Sequence, residues 1–167
     1  METILEIKDG KYPDNPSEIN IREAARAILF NDSRFIPLLF VSKHGFHKLP
    51  GGGLEEGEEI TDALAREIEE ETGCQAEITG ELGKIIEFRS RWKLKQTSYC
   101  YLGKITSQGK PNFTEKETLE GFKLVWLELD QAISQMEKER PDNYEGNFIQ
   151  KRDLAFLKKA RETLKID

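Results

Sequence analysis

The chain has 167 residues, 37% of them hydrophobic and 34% charged, with a net charge of −6. A length in this range suits one domain, spanning 1–167, with room for its own core. The acidic balance argues against nucleic acid or an anionic membrane surface as a partner, since both want basic patches, and no run of about 18 apolar residues is present to span a bilayer.

The N-terminal METILEIKDG lacks the basic and apolar regions of a signal peptide. Cys74 and Cys100 stand outside any paired motif, so reduced buried thiols and a cytoplasmic location are expected. Residues 1–19 read as an N-terminal extension with a short strand at Thr3–Lys8. Gly10–Ser17, with Pro13 and Pro16, reads as a loop. Ile21–Phe30 is open: its residues suit a helix by propensity, and the alternation Ala25-Ala27-Leu29 suits a strand. Phe35–Ser42 is an apolar run between polar turns and reads as a buried strand, with Asn31-Asp32-Ser33 as the hairpin turn before it. His44 and His47, close to a turn, are expected at the surface.

The segment Leu49-Pro50-Gly51-Gly52-Gly53-Leu54 is a glycine-rich loop. Three glycines let backbone come close to a ligand, so their amides and carbonyls are candidates to contact phosphate or metal. Glu58–Thr72 holds neither Gly nor Pro and is expected to be one helix. Ile60, Leu64 and Ile68 form its apolar stripe, and Glu67, Glu70 and Glu71, spaced i, i+3 and i+4, share a face beside that stripe. Glu69 points to solvent. Carboxylates crowded beside a core repel one another, and a divalent cation relieves the repulsion. All-oxygen ligation suits Mg²⁺ or Mn²⁺. Arg66 is the one cation amid these acids, placed to hold a carboxylate.

Gln75–Phe88 reads as one or two strands broken near Gly80 and Gly83. Arg89–Lys95 is locally basic and is expected to be an exposed hairpin loop, with Arg89 and Trp92 as candidates to meet an anionic substrate or its base. Thr97–Ile105 reads as a strand and Thr106–Pro111 as a turn. Thr114–Glu117 with Glu120 reads as a solvated acidic loop. Phe122–Leu129 alternates as a strand that places Trp126 in the core. Asp130 is expected to cap a helix over Gln131–Glu139, ended by Pro141. The C-terminal segment 140–167 carries a last helix, Phe148–Leu164, with Ile149, Phe156, Leu157, Ala160 and Leu164 near one face and no assigned role.

Read together, Gly52–Cys74 resembles the Nudix box, G-x5-E-x7-R-E-U-x-E-E-x-G-U with U bulky and apolar. Eight defined positions match, which chance allows in on the order of one window in 10⁸. Only Cys74 departs, mildly, because a free Cys packs as a small hydrophobe. The resemblance implies an α/β fold, a Nudix-type α/β/α sandwich with a mixed β-sheet, in which Ile21–Phe30 is a strand. It implies metal-dependent hydrolysis of a nucleoside diphosphate linked to another group. Glu67, Glu70 and Glu71, helped by the Gly51 carbonyl, would hold Mg²⁺ or Mn²⁺. Glu70 and Arg66 would be catalytic, as would the further acid that several Nudix enzymes place in a late loop, Glu117 first and Glu115 second, and Lys48, Gly52, Gly53 and Arg89 would contact substrate. The window Phe88–Trp92 holds neither the Pro that marks ADP-ribose enzymes nor the Tyr that marks dinucleoside-polyphosphate enzymes. Nor is the upstream motif of the coenzyme A enzymes present. A nucleoside triphosphate, oxidised or not, cleaved to the monophosphate and pyrophosphate, is therefore the leading expectation. An ADP-ribose or other nucleotide-sugar pyrophosphatase comes next, then a non-catalytic nucleotide-binding module. The expected partner is a small-molecule nucleotide, with a homodimer left open.

Overall fold

The computed structural model describes residues 1–165. Its elements, in chain order, are β1 (Thr3–Lys8), β2 (Asn20–Phe30), β3 (Phe35–Val41), β4 (Phe46–Lys48), β5 (Gly51–Gly53), α1 (Ile60–Thr72), β6 (Cys74–Arg89), β7 (Leu94–Gln108), α2 (Glu115–Leu119), β8 (Phe122–Glu128), α3 (Leu129–Lys138) and α4 (Tyr144–Leu164). Five strands form a mixed sheet in the order β1-β6-β7-β2-β5, and three form a second sheet in the order β4-β3-β8. β1 runs parallel to β6 and β2 parallel to β7, while β6 and β7 form a long antiparallel hairpin.

β2 is a strand, despite its helix-favouring residues, because both of its faces are covered. Ala25, Ala27 and Leu29 pack against Leu64 and Ile68 of α1. The intervening Ile28 joins a second cluster with Ala132 and Met136 of α3 and Phe156, Leu157 and Ala160 of α4. Alternate residues of a strand point to opposite faces, so one segment seals two cores. Helices thus lie on both faces of the mixed sheet, as the α/β/α expectation requires.

Several local expectations change. Gly80 and Gly83 do not break β6; register slips there and the strand runs on for 16 residues. Strands tolerate such bulges at glycine. β7 reaches Gln108, into the turn expected over Thr106–Pro111. The glycine-rich segment is itself a short strand, Gly51–Gly53, paired antiparallel with Ala24–Arg26 of β2. Phe46–Lys48, too short to show periodicity, pairs with β3. α1 starts at Ile60 and leaves Glu58 in the preceding turn. Asp130 lies inside the first turn of α3, where Glu128 N donates to Gln131 Oε1 at 3.0 Å. α4 starts earlier than expected, at Tyr144, with Asn143 Oδ1 accepting from Gly146 N at 3.1 Å. Among the described residues no helix is long and apolar enough to cross a membrane.

α1 ends at Gly73 in the left-handed conformation, φ 70°, with its amide bonded to Glu69 O at 2.8 Å. A Cβ there would strike the backbone of Lys110. Gly73→Ala combines an unfavourable φ with that clash and should cost about 1–3 kcal/mol. Urea unfolding checks it; a loss under about 0.5 kcal/mol, the size of an ordinary surface change, would show that the helix end tolerates a side chain.

Candidate active site

A cavity of about 410 Å³ opens where β5, the acidic face of α1, α2, β8 and the N-terminal end of α4 meet. That volume suits a small-molecule ligand. It gathers Lys48, Gly51–Gly53, Arg66, Glu67, Glu70, Glu71 and Glu117, so nearly all the sequence-predicted residues converge here.

Glu71 anchors the arrangement. It is 1% exposed. Its Oε1 accepts the Gly51 amide at 2.8 Å and its Oε2 accepts Lys48 Nζ at 3.1 Å. Burial pushes its carboxyl above the ordinary range, while Lys48 and the Gly51 amide pull it back. The Gly51 carbonyl accepts Arg26 Nη1 at 2.5 Å and a longer bond from Lys48 Nζ at 3.4 Å. Burial pushes the Arg26 guanidinium down to about 10. Glycine fits this strand between its two neighbours: a Cβ on Gly51, at φ 139°, would strike Ala25 O of β2, and one on Gly52 would meet the Glu67 carboxylate of α1.

Arg66 organises the acids on the other side. Its Nε and Nη2 hold both oxygens of Glu58 at 2.9 and 3.0 Å, and its Nη1 donates to Glu67 Oε1 at 3.0 Å. Glu70 Oε2 lies 3.5 Å from the same Nη1. The fork holds the Glu58 carboxyl down at about 2. Glu58 is thus the partner that orients Arg66. Glu70 shifts the opposite way: burial raises it, as do Glu67, Glu117 and Glu55, against the opposing pull of Arg66.

Glu117 faces the cavity from α2 and not from a loop. Its Oε1 accepts the Thr114 amide at 2.8 Å, and Thr114 Oγ1 accepts the Glu117 amide at 3.2 Å. That reciprocal capping box was legible as Thr-x-x-Glu. Glu115 does not line the cavity. Arg22, which the sequence did not single out, does, and its side chain has no hydrogen-bond or ion-pair partner among the described residues. Val41, Phe46, Phe122 and Ile149 make an apolar wall.

Two expectations are corrected. Arg89 is not on the cavity wall: it is 1% exposed and grips Glu87 through Nε and Nη2 at 2.9 and 2.7 Å, with Nη1 reaching Glu145 at 3.3 Å. The tip of that turn, Arg91, Trp92 and Lys93, is exposed. His47 is buried, with its amide and ring both bonded to the Glu139 carboxylate. His44 lies nearer the surface and pairs with Asp142.

The donor chemistry of the cavity fits a divalent cation. Glu67 and Glu70 line the cavity together, Glu70 raised first by burial and then by repulsion from Glu67, and hard oxygens suit Mg²⁺ or Mn²⁺. Among the described residues no three acidic, His or Cys side chains already converge as a ligand set. Glu71 has both carboxylate oxygens engaged, one by Lys48 and one by the Gly51 amide.

Comparison with known proteins bears on this cavity. The model of the NUDIX domain family matches residues 20–147. Nudix hydrolase 7 of Arabidopsis thaliana is 27% identical over 154 residues, covering 86% of this chain and 53% of that protein, so the chain spans about half its length. Diphosphoinositol polyphosphate phosphohydrolase 3-beta of Bos taurus is 28% identical over 138 residues, covering 80% of this chain and 79% of that one. Among solved structures, a NUDIX hydrolase from Nitrosomonas europaea superposes with a TM-score of 0.64 at 17% identity, over 86% of this chain and 90% of that chain.

The Glu58–Arg66 fork carries a pH signature. A carboxyl lowered in the folded state from 4.5 to about 2 adds stability that is present above the higher value and is lost as pH falls toward the lower. The stability difference between the parent protein and Glu58→Gln should be full at neutral pH and shrink across that window. Unfolding measured along a pH series checks it; a difference constant down to pH ~2 would contradict the fork.

Proposed function

The chain belongs to the NUDIX family, and we propose on that footing that it is a divalent-metal-dependent pyrophosphohydrolase acting on a nucleoside diphosphate linked to a further group. The observation that carries this is the union, in one cavity, of the acidic face of α1 with an apolar wall containing Phe46 and Phe122. The first suits a pyrophosphate with its metal, the second a base.

Glu67, Glu70 and Glu71 would hold the ion, with the Gly51 carbonyl beside them. A bound Mg²⁺ or Mn²⁺ polarises phosphate oxygens and lowers the pKa of a water. The rest falls to the chain itself. Arg66 keeps Glu67 and Glu70 turned into the cavity. Lys48, Arg22 and Lys116 line the same space and offset phosphate charge. Glu70, which lines the cavity with Glu67, is the first candidate for the base that takes a proton from the attacking water. Glu117 is the second candidate, facing Glu70 across the cavity. The apolar wall and the rigid glycine strand orient the nucleoside so that attack is in line.

The leading substrate is a nucleoside triphosphate, oxidised or not, cleaved to the monophosphate and pyrophosphate. An ADP-ribose or other nucleotide sugar is the second reading. Seven glutamates and four cationic side chains line the cavity. That balance suits one pyrophosphate unit with metal better than a densely phosphorylated inositol, which wants mostly cationic walls.

A panel of ordinary and oxidised nucleoside triphosphates, ADP-ribose, nucleotide sugars, dinucleoside polyphosphates and a diphosphoinositol, assayed with Mg²⁺ or Mn²⁺, tests the proposal. A nucleoside triphosphate should be cleaved to its monophosphate and pyrophosphate. Glu70→Gln and Glu71→Gln should each lower kcat by about 10²–10⁴ with the fold intact. Near-parental turnover in those variants, or binding of nucleotide with no cleavage of any member, would overturn it.

A further inference from the structure

α4 carries two charges on its buried face. Arg152 and Asp153 are both 0% exposed, within a stripe otherwise built from Ile149, Phe156, Leu157 and Ala160. Asp153 Oδ2 accepts the Leu49 amide at 2.8 Å, and its Oδ1 accepts Arg152 Nε at 2.7 Å. Arg152 Nη1 donates to Glu87 Oε1 at 3.0 Å, and Glu87 is held by Arg89. Arg89 reaches Glu145, which lines the cavity. A chain of five charged side chains therefore starts at the cavity wall, crosses the interior, and ends on Leu49.

Leu49 stands two residues before Gly51, between the end of β4 and the start of β5. Its amide is buried and outside both sheets, so it needs an acceptor from elsewhere. Every other polar backbone atom from there to Gly51 that has a partner is also fixed: Pro50 O by the Ala27 amide at 3.1 Å, the Gly51 amide by Glu71, and Gly51 O by Arg26. α4 thus supplies one of the bonds that place this segment. A carboxylate does this more firmly than a neutral acceptor, because its hydrogen bonds are charge-assisted. Arg152 steadies that carboxylate. Burying Arg152 is not favourable in itself, since its Nη2 has no acceptor.

We infer that Asp153 is a positioning residue for the cavity: by holding the Leu49 amide it sets where Gly51 meets Glu71 and Arg26. It touches no substrate. The inference rests on reading the cavity as a pyrophosphohydrolase site, and Asp153 acts on that site only through the Leu49–Gly51 backbone.

Two double variants isolate the bond. Arg152→Met with Asp153→Asn removes the buried charges but keeps an acceptor for Leu49; Arg152→Met with Asp153→Leu is nearly isosteric and removes it. Glu87 keeps Arg89 in both. The leucine variant should show kcat about 10- to 100-fold below the asparagine variant with KM within about twofold, the signature of a displaced group and not of lost binding. The amide resonances of Leu49 and Gly51 should move in the leucine variant and hold in the asparagine variant. Equal kcat values in the two, or a loss that follows the unfolded fraction at the assay temperature, would overturn the inference. Because the resonances need no turnover, an unmoved Gly51 amide in the leucine variant overturns it even if the parent protein cleaves nothing in the panel. If the leucine variant does not fold, Asp153→Ala in the same background takes its place.

Discussion

Glu71 brings a carboxylate to 1% exposure at the C-terminal end of α1. Burying an ion costs several kcal/mol unless its partners are well placed. Here both oxygens are bound, one by the Gly51 amide and one by Lys48. Those partners flank Leu49-Pro50, so the helix is clamped onto one short stretch of backbone. On the other side Gly51 packs so closely on β2 that a Cβ would strike Ala25 O. With the helix so fixed, Glu67 and Glu70 turn into the cavity, and Arg66 sets their spacing.

The same stretch is held from the far side of the sheet. β2 sends Ala25 and Ala27 toward α1 and Arg26 the other way, yet Arg26 returns to the Gly51 carbonyl. Beyond it lie Arg152 and Asp153 of α4, with Glu87 and Arg89. An interior so rich in charge gives up stability that apolar packing would supply. What it supplies instead is definition: the Leu49 amide, the Pro50 carbonyl and both polar backbone atoms of Gly51 each have a specific partner. Rigid placement of donors before the reaction is what electrostatic catalysis requires. The second sheet closes the cavity with Phe46 and Phe122.

Much of this was legible in the residues. The spacing of Glu67, Glu70 and Glu71 beside Ile60, Leu64 and Ile68 defined one helix and its two faces, because those relations are local and set by helical period. Phe35–Ser42, Thr97–Ile105 and Phe122–Leu129 followed as strands from apolar or β-favouring runs and turn residues. Ile21–Phe30 was open on its residues and leaned to strand through the resemblance, and the three-residue strands Phe46–Lys48 and Gly51–Gly53 were too short to show. What could not be read depends on partners distant in sequence. Arg89 looked like a surface cation because its neighbours Arg91, Lys93 and Lys95 are basic; it is buried because Glu87 and Arg152 complete a cluster across the fold. His47 is buried for the same kind of reason, through Glu139. Two signals were available and unread: the Thr114–Glu117 capping spacing, and Asp153 itself, an acid standing in the apolar stripe of a helix. Arg22 gave no signal, since a lone arginine at the start of a strand is ordinary.

The central claim is that the glycine strand and the acidic face of α1 form one cation- and phosphate-binding site. Paramagnetic broadening of backbone resonances by Mn²⁺ tests it most directly. The account predicts broadening centred on Gly51–Gly53 and Glu67–Glu71, extending to Glu117 and weakened in Glu70→Gln. Broadening centred elsewhere, or none at saturating Mn²⁺, would contradict it.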